Sequence, residues 1–129
     1  MSGAAQPEVV LDEGAGGLAP LLEALMRTAV AREPRLARRM RGSLALRTTD
    51  VPAGATVRFE GTRIGVSGEA SEAAWMVIEG ESGALAALSA RGYGLQTLRR
   101  SGVRLRGIAR HPVFALRARR LLAASSPTS

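Results

Sequence analysis

From Ala55 to Ser67, polar and apolar side chains alternate on both sides of Gly61-Thr62, and this constrains the fold more than any other stretch. A period of two belongs to a strand with one buried face. A two-residue loop that opens with glycine suits a tight hairpin, because glycine accepts the positive φ such turns require. Turning at Gly61-Thr62 sets Glu60 opposite Arg63, Phe59 opposite Ile64, Arg58 opposite Gly65 and Val57 opposite Val66. Opposed residues share a face, so Val57, Phe59, Ile64 and Val66 form one apolar patch. Thr56, Arg58, Glu60, Arg63 and Ser67 fall into pairs that face solvent more easily. Pattern and turn chemistry agree on this register independently. The apolar face must be covered by the rest of the chain.

Cover comes from both sides in sequence. Leu18, Leu21, Leu22, Leu25, Met26 and Ala29 recur at helical spacing, which predicts an amphipathic helix. Glu33-Pro34 restarts a short second helix, since proline suits a first turn, and Gly42 is expected to stop it. Leu44 and Leu46 alternate with Ala45 and Arg47 in a strand near 43–49, before the turn-forming Asp50-Val51-Pro52-Ala53-Gly54. After a loop over 68–74, Trp75–Glu79 reads as a strand with Met76 and Ile78 inward. Ser82 is placed to cap a helix carrying Leu85 and Leu88, ended by Gly92-Tyr93-Gly94, and 95–101 adds a helical turn. Gly102–Gly107 is a fifth strand with Val103 and Leu105 inward and Arg104 and Arg106 outward. His111-Pro112 opens a last helix with Phe114, Ala118, Leu121 and Leu122 on one side. The expected architecture is α+β: a five-stranded, largely antiparallel sheet covered on one face by helices.

At 129 residues and 46% apolar, the chain suits one compact domain. The expected division is a flexible leader over 1–17, a domain over 18–122 and a disordered tail over 123–129. Gly14-Ala15-Gly16-Gly17 follows no strand and precedes no Gly-Lys-Ser/Thr, so it reads as linker rather than a phosphate loop. The start carries neither a basic region nor an apolar segment of secretory type, and a cytoplasmic protein is expected. There is no cysteine, hence no disulfide or thiolate metal site. His111 is the single histidine, placed for capping or solvent, and no motif pairs the carboxylates or activates a serine. The reading is a protein that is not an enzyme and needs no cofactor or metal.

The strand, the glycine-turn hairpin, the run Trp75-Met-Val-Ile-Glu-Gly-Glu-Ser-Gly-Ala-Leu-Ala-Ala-Leu88 and the later Gly102-Val-Arg-Leu-Arg-Gly107 together resemble the sterol carrier protein 2 (SCP2-like) lipid-binding domain. The likeness runs from about Leu36 to Leu122. It implies helices enclosing an apolar tunnel for a sterol, fatty acid or acyl-CoA, bound and transferred rather than chemically changed. The tunnel would be lined by Leu44, Leu46, Val57, Phe59, Ile64, Val66, Met76, Ile78, Val103 and Leu105 from the sheet. Leu85, Leu88, Phe114, Leu121 and Leu122 would close it from the helices. The family often has an acid after the last strand's glycine, whereas here Ile108-Ala-Arg110-His111 follows. The same residues at the same spacing would also build an ordinary packed core.

The net charge of +7 is uneven: nine arginines and no acid follow residue 90. All eighteen basic residues are arginine, a pattern that coding bias also produces. The competing reading is an anion-surface module, with Arg104, Arg106, Arg110, Arg117 and Arg120 contacting anionic membrane headgroups. Nucleic acid fits less well, because aromatic residues do not interleave with the basic ones. An accessory domain for a neighbouring enzyme is a third reading.

Overall fold

The structure, a computed structural model, describes residues 6–14, 16–85 and 102–124. Among these are strands β1 (Glu8–Leu11), β2 (Arg41–Thr48), β3 (Gly54–Glu60), β4 (Arg63–Ser67), β5 (Met76–Gly80) and β6 (Arg104–Arg106). The helices with full described bounds are α1 (Ala19–Arg32), α2 (Pro34–Arg39) and α3 (Pro112–Ala123). Leu88, the helix beyond Leu85, the turn over 95–101 and residues 125–129 lie outside the described residues.

The hairpin has the register that the alternation demands. Val57 pairs with Val66, Arg58 with Gly65 and Phe59 with Ile64, and Gly61 sits at φ +83° in the turn. Phe59 and Ile64 are buried on the side that the helices cover.

The sheet departs from five mostly antiparallel strands. Among the described residues it has six, in the order β1-β4-β3-β2-β5-β6, and is mixed. β1 runs parallel to β4, and β2 parallel to β5. The extra strand lies in the expected leader, so a strand does precede the glycine-rich run at 14–17 that was expected to follow none, although no Gly-Lys-Ser/Thr comes after it. Glu8–Leu11 is too short to show a period of its own, but the free edge of β4 supplies partners. The Glu8 N–H donates to the Thr62 carbonyl at 2.9 Å, and the Asp12 N–H to that of Val66 at 2.8 Å. Val9 is buried, and Arg27 ties β1 to α1 by donating to the Val9 carbonyl at 3.1 Å.

The parallel β2–β5 pair forces a crossover. β4 and β5 point the same way on opposite sides of β3 and β2, so the connecting residues 68–75 must cross the sheet. They cross the face away from the helices. Thr56 fastens them: its hydroxyl donates to the Glu69 carbonyl at 2.6 Å and accepts the Ser71 N–H at 2.8 Å. Ala45, paired with Thr56 and Val77, points to that face and is nevertheless fully buried. Coverage is therefore two-sided: helices on one face, a strap on the other.

α1 buries Leu22, Leu25, Met26, Ala29 and Val30, the apolar stripe set by its helical spacing. Pro34 disfavours helical backbone at Glu33, which sits at φ −131° and ψ 61°, so α1 ends and α2 begins there. α2 stops at Arg39 rather than at Gly42. Met40 is extended, at φ −79° and ψ 137°, and Gly42 lies inside β2.

Backbone turns helical again at Ser82, and the cap comes from a distant loop. The Asp50 carboxylate accepts the Ser82 N–H at 2.9 Å and the Ser82 hydroxyl at 2.8 Å. The backbone bond, followed by the hydroxyl bond, holds the Asp50 carboxyl below its ordinary pKa. A depressed folded-state pKa contributes stability above the unfolded value and loses it as pH falls through the folded one. Asp50→Asn should therefore flatten the acid limb of a urea-midpoint profile below about pH 4, the ordinary aspartate range. An unchanged acid limb would remove Asp50 from that role.

Candidate functional site

The inner face of the sheet is an apolar floor. Leu44, Leu46, Val57, Phe59, Ile64, Val66, Met76 and Ile78 are all buried there, each from its expected alternating position. Phe114, Ala115, Ala118, Leu121 and Leu122 of α3 close over it beside α1, and Leu85 is fully buried with them. Burying one such side chain contributes about 1.5–3 kcal/mol, so this layer dominates the fold's stability. Val103 packs half-buried against the cluster. Leu105 does not join it. It pairs with Ile78 and so shares its face, but at the outer edge of the sheet it remains 37% exposed.

The floor reaches the surface along a ladder of rings. Phe59 is buried; Phe114 meets it edge-on, with centroids 5.9 Å apart. Trp75 meets Phe114 edge-on at 5.7 Å, and His111 stacks on Trp75 at 4.1 Å and 7°. Trp75 precedes β5 instead of starting it and is 40% exposed. His111 occupies the N-cap position of α3 without a side-chain capping bond, so stacking replaces the expected capping role. Gly42 makes the approach feasible. A Cβ there would lie 2.7 Å from Trp75 Cε3 and 3.1 Å from Phe114 Cδ1.

Beside this ladder a groove of about 220 Å³ opens, lined by Arg39, Met40, Arg41, Trp75, Val113, Phe114 and Arg117. Its base, Met40 and Phe114, belongs to the buried cluster, and its rim carries three guanidinium groups. Arg41 donates to the Arg38 carbonyl at 2.9 Å and the Met40 carbonyl at 3.0 Å. Arg117 donates to the Arg39 carbonyl at 3.3 Å. Both arginines thus answer the free carbonyls at the end of α2.

A larger cavity of about 700 Å³ lies on the strap side, among Arg47, residues 70–75, Val77, Arg106, Gly107, Arg110 and His111. The arginines grouped together by sequence consequently separate. Arg104 and Arg106 sit in register with Glu79 and Val77 on the strap side, Arg106 lying 3.6 Å from Glu79. Arg110 joins them at the large cavity. Arg117 and Arg120 belong to the helical side, where Arg120 pairs with Glu33 at 3.3 Å. Sequence reasoning does not single out the groove residues Arg39, Arg41, Trp75 and Val113 as a site. The available signal is the basic run Arg35-Leu-Ala-Arg-Arg-Met-Arg41.

Among the described residues no cluster of histidine, aspartate and glutamate is arranged to hold a metal ion, and no helix is long and apolar enough to cross a membrane. No family model matches the sequence, and no curated protein matches it either. Solved structures do resemble it. The UbiJ-SCP2 ubiquinone synthesis protein is 18% identical, with a TM-score of 0.53 over 87% of this chain and 92% of its own. A conserved hypothetical protein of Thermus thermophilus, described as a candidate sterol carrier protein, is 21% identical. Its TM-score is 0.55, over 100% of this chain and 99% of its own. The six-stranded mixed sheet, the helices on one face and these two likenesses establish that the chain has the sterol carrier protein 2-like fold.

Proposed function

We propose that the protein binds a lipid-type ligand between the sheet and its helices, without catalysing a reaction on it. The observation that carries this reading is the continuity of the buried apolar floor with a surface groove, through Met40, Phe114 and Trp75. An aliphatic chain placed against Phe114 would face Met40 and the Phe59 and Trp75 rings that flank Phe114, while a polar end stays at the rim among Arg39, Arg41 and Arg117. Sterols, fatty acids and acyl-CoA all have that division. One similar structure is named for ubiquinone synthesis and the other for sterol carriage; ubiquinone and sterols are both largely apolar molecules.

The test is direct. Organic extraction of the purified protein followed by mass spectrometry should release a stoichiometric lipid. Ligand at a hundred times its Kd stabilises by about 2.7 kcal/mol, so adding it to delipidated protein should raise Tm by roughly 10 °C. Trp75 is the one tryptophan, so a titration should also change its emission. Delipidated protein that melts and fluoresces identically with fatty acids, sterols and isoprenoid lipids would leave the floor as a plain core.

A further inference from the structure

We propose that the surface formed by α2 and α3 docks on an anionic phospholipid bilayer. Val113 and Leu116, at 59% and 65% exposure, are the most exposed large apolar side chains among the described residues. They lie three residues apart on α3 and so share its outward stripe, opposite the buried Phe114, Ala118 and Leu121. A surface helix with an outward polar face needs no such pair. Around them the two helices themselves carry charge of one sign. α3 contributes Arg117, Arg119 and Arg120, α2 contributes Arg35, Arg38 and Arg39, and neither helix contains an acid. The two helices are joined by Arg117 on the Arg39 carbonyl and by Arg120 on the Glu33 carboxylate at their junction. Apolar side chains ringed by arginine match the interfacial zone of a bilayer, where the former enter the acyl boundary and the latter meet lipid phosphates. Against a nucleic acid backbone Val113 and Leu116 would have no partner. Trp75, at the groove edge, has the amphipathic ring suited to the same depth.

The proposal rests on the ligand reading in one respect only: the groove opens within this surface, so a lipid would pass between bilayer and floor without crossing water.

Co-sedimentation with vesicles tests it. The protein should bind phosphatidylglycerol-containing vesicles, less as salt rises, and ignore pure phosphatidylcholine. The decisive comparison is between variants. Arg35, Arg38 and Arg119 have exposed side chains with no hydrogen-bond or ion-pair partner among the described residues. Replacing all three by glutamine should weaken vesicle binding about 100-fold, at roughly fivefold per arginine. Leu116→Gln, with no charge changed, should weaken it several-fold further. Arg104→Gln with Arg106→Gln, on the opposite side of the sheet, should leave it unaltered. Equal losses in the two arginine variants would overturn the proposal, since only net charge would then matter. So would a wild-type protein that shifts duplex DNA but leaves the vesicles alone. Lipid extracted from a protein that fails to bind vesicles would overturn the docking surface and leave the ligand reading standing.

Discussion

Gly42→Ala is expected to lower the free energy of unfolding by about 3 kcal/mol and to change the emission of Trp75. Gly42 sits at φ +135°, a region close to glycine-only, where another residue costs about 1–3 kcal/mol. The added methyl would also lie 2.7 Å from Trp75 Cε3 and 3.0 Å from Cδ2, so the indole must shift. That shift would break the stack on His111 and the edge contact with Phe114, aromatic contacts of about 0.5–1.5 kcal/mol each. A urea midpoint gives the stability, and fluorescence gives the ring. A variant with wild-type midpoint and emission would show that the ladder does not depend on a bare backbone there. The same substitution should narrow the groove, so lipid-induced changes in Tm ought to shrink with it.

Ile78→Asp should unfold the protein at neutral pH. Ile78 is fully buried, in register between Leu46 and Leu105. Truncating such a side chain alone costs about 2–5 kcal/mol. An unpaired carboxylate in that setting has its pKa raised by up to about 3–5 units, or about 4–7 kcal/mol at 1.36 kcal/mol per unit. Together these approach the whole stability of a domain, about 5–15 kcal/mol. The sign with pH follows. The folded-state pKa lies above the unfolded one, so destabilisation grows as pH rises past about 4 and fades below it. The variant should therefore regain structure by circular dichroism between pH 7 and about pH 4.5, and Ile78→Asn should not. A folded, pH-independent Ile78→Asp would mean that the floor at this point is wet.

Much of what depends on neighbours along the chain is legible in the sequence. The hairpin register follows from alternation and Gly61, and the buried stripe of α1 follows from spacing. What escapes depends on partners far away. Glu-Val-Val-Leu at 8–11 has no signal until the edge of β4 is offered to it. The parallel β2–β5 pairing is hidden because residues 68–75 look like any polar loop, and only Thr56 reveals that they form a strap. Alternation alone puts Ala45 on the side away from Leu44 and Leu46, and nothing nearby in sequence says that a strap covers it. The arginines form one cluster in sequence but two in space, since β6 faces the strap side and α3 lies on the other. The groove is invisible because it joins the end of α2, the start of α3 and a tryptophan that lie far apart in sequence.

The shortness of β6 bears on how molecules of this protein meet one another. Among the described strands, β6 closes one edge of the sheet with only Arg104–Arg106, all exposed. An exposed edge invites another chain to add a strand. Here a second copy approaching antiparallel would set Arg104 of each molecule against Arg106 of the other, with only Leu105 between them to reward contact. Like charges directly opposed are unfavourable. These two arginines thus disfavour strand-to-strand pairing at this edge. Replacing both with threonine should leave the fold intact while making concentrated solutions scatter light.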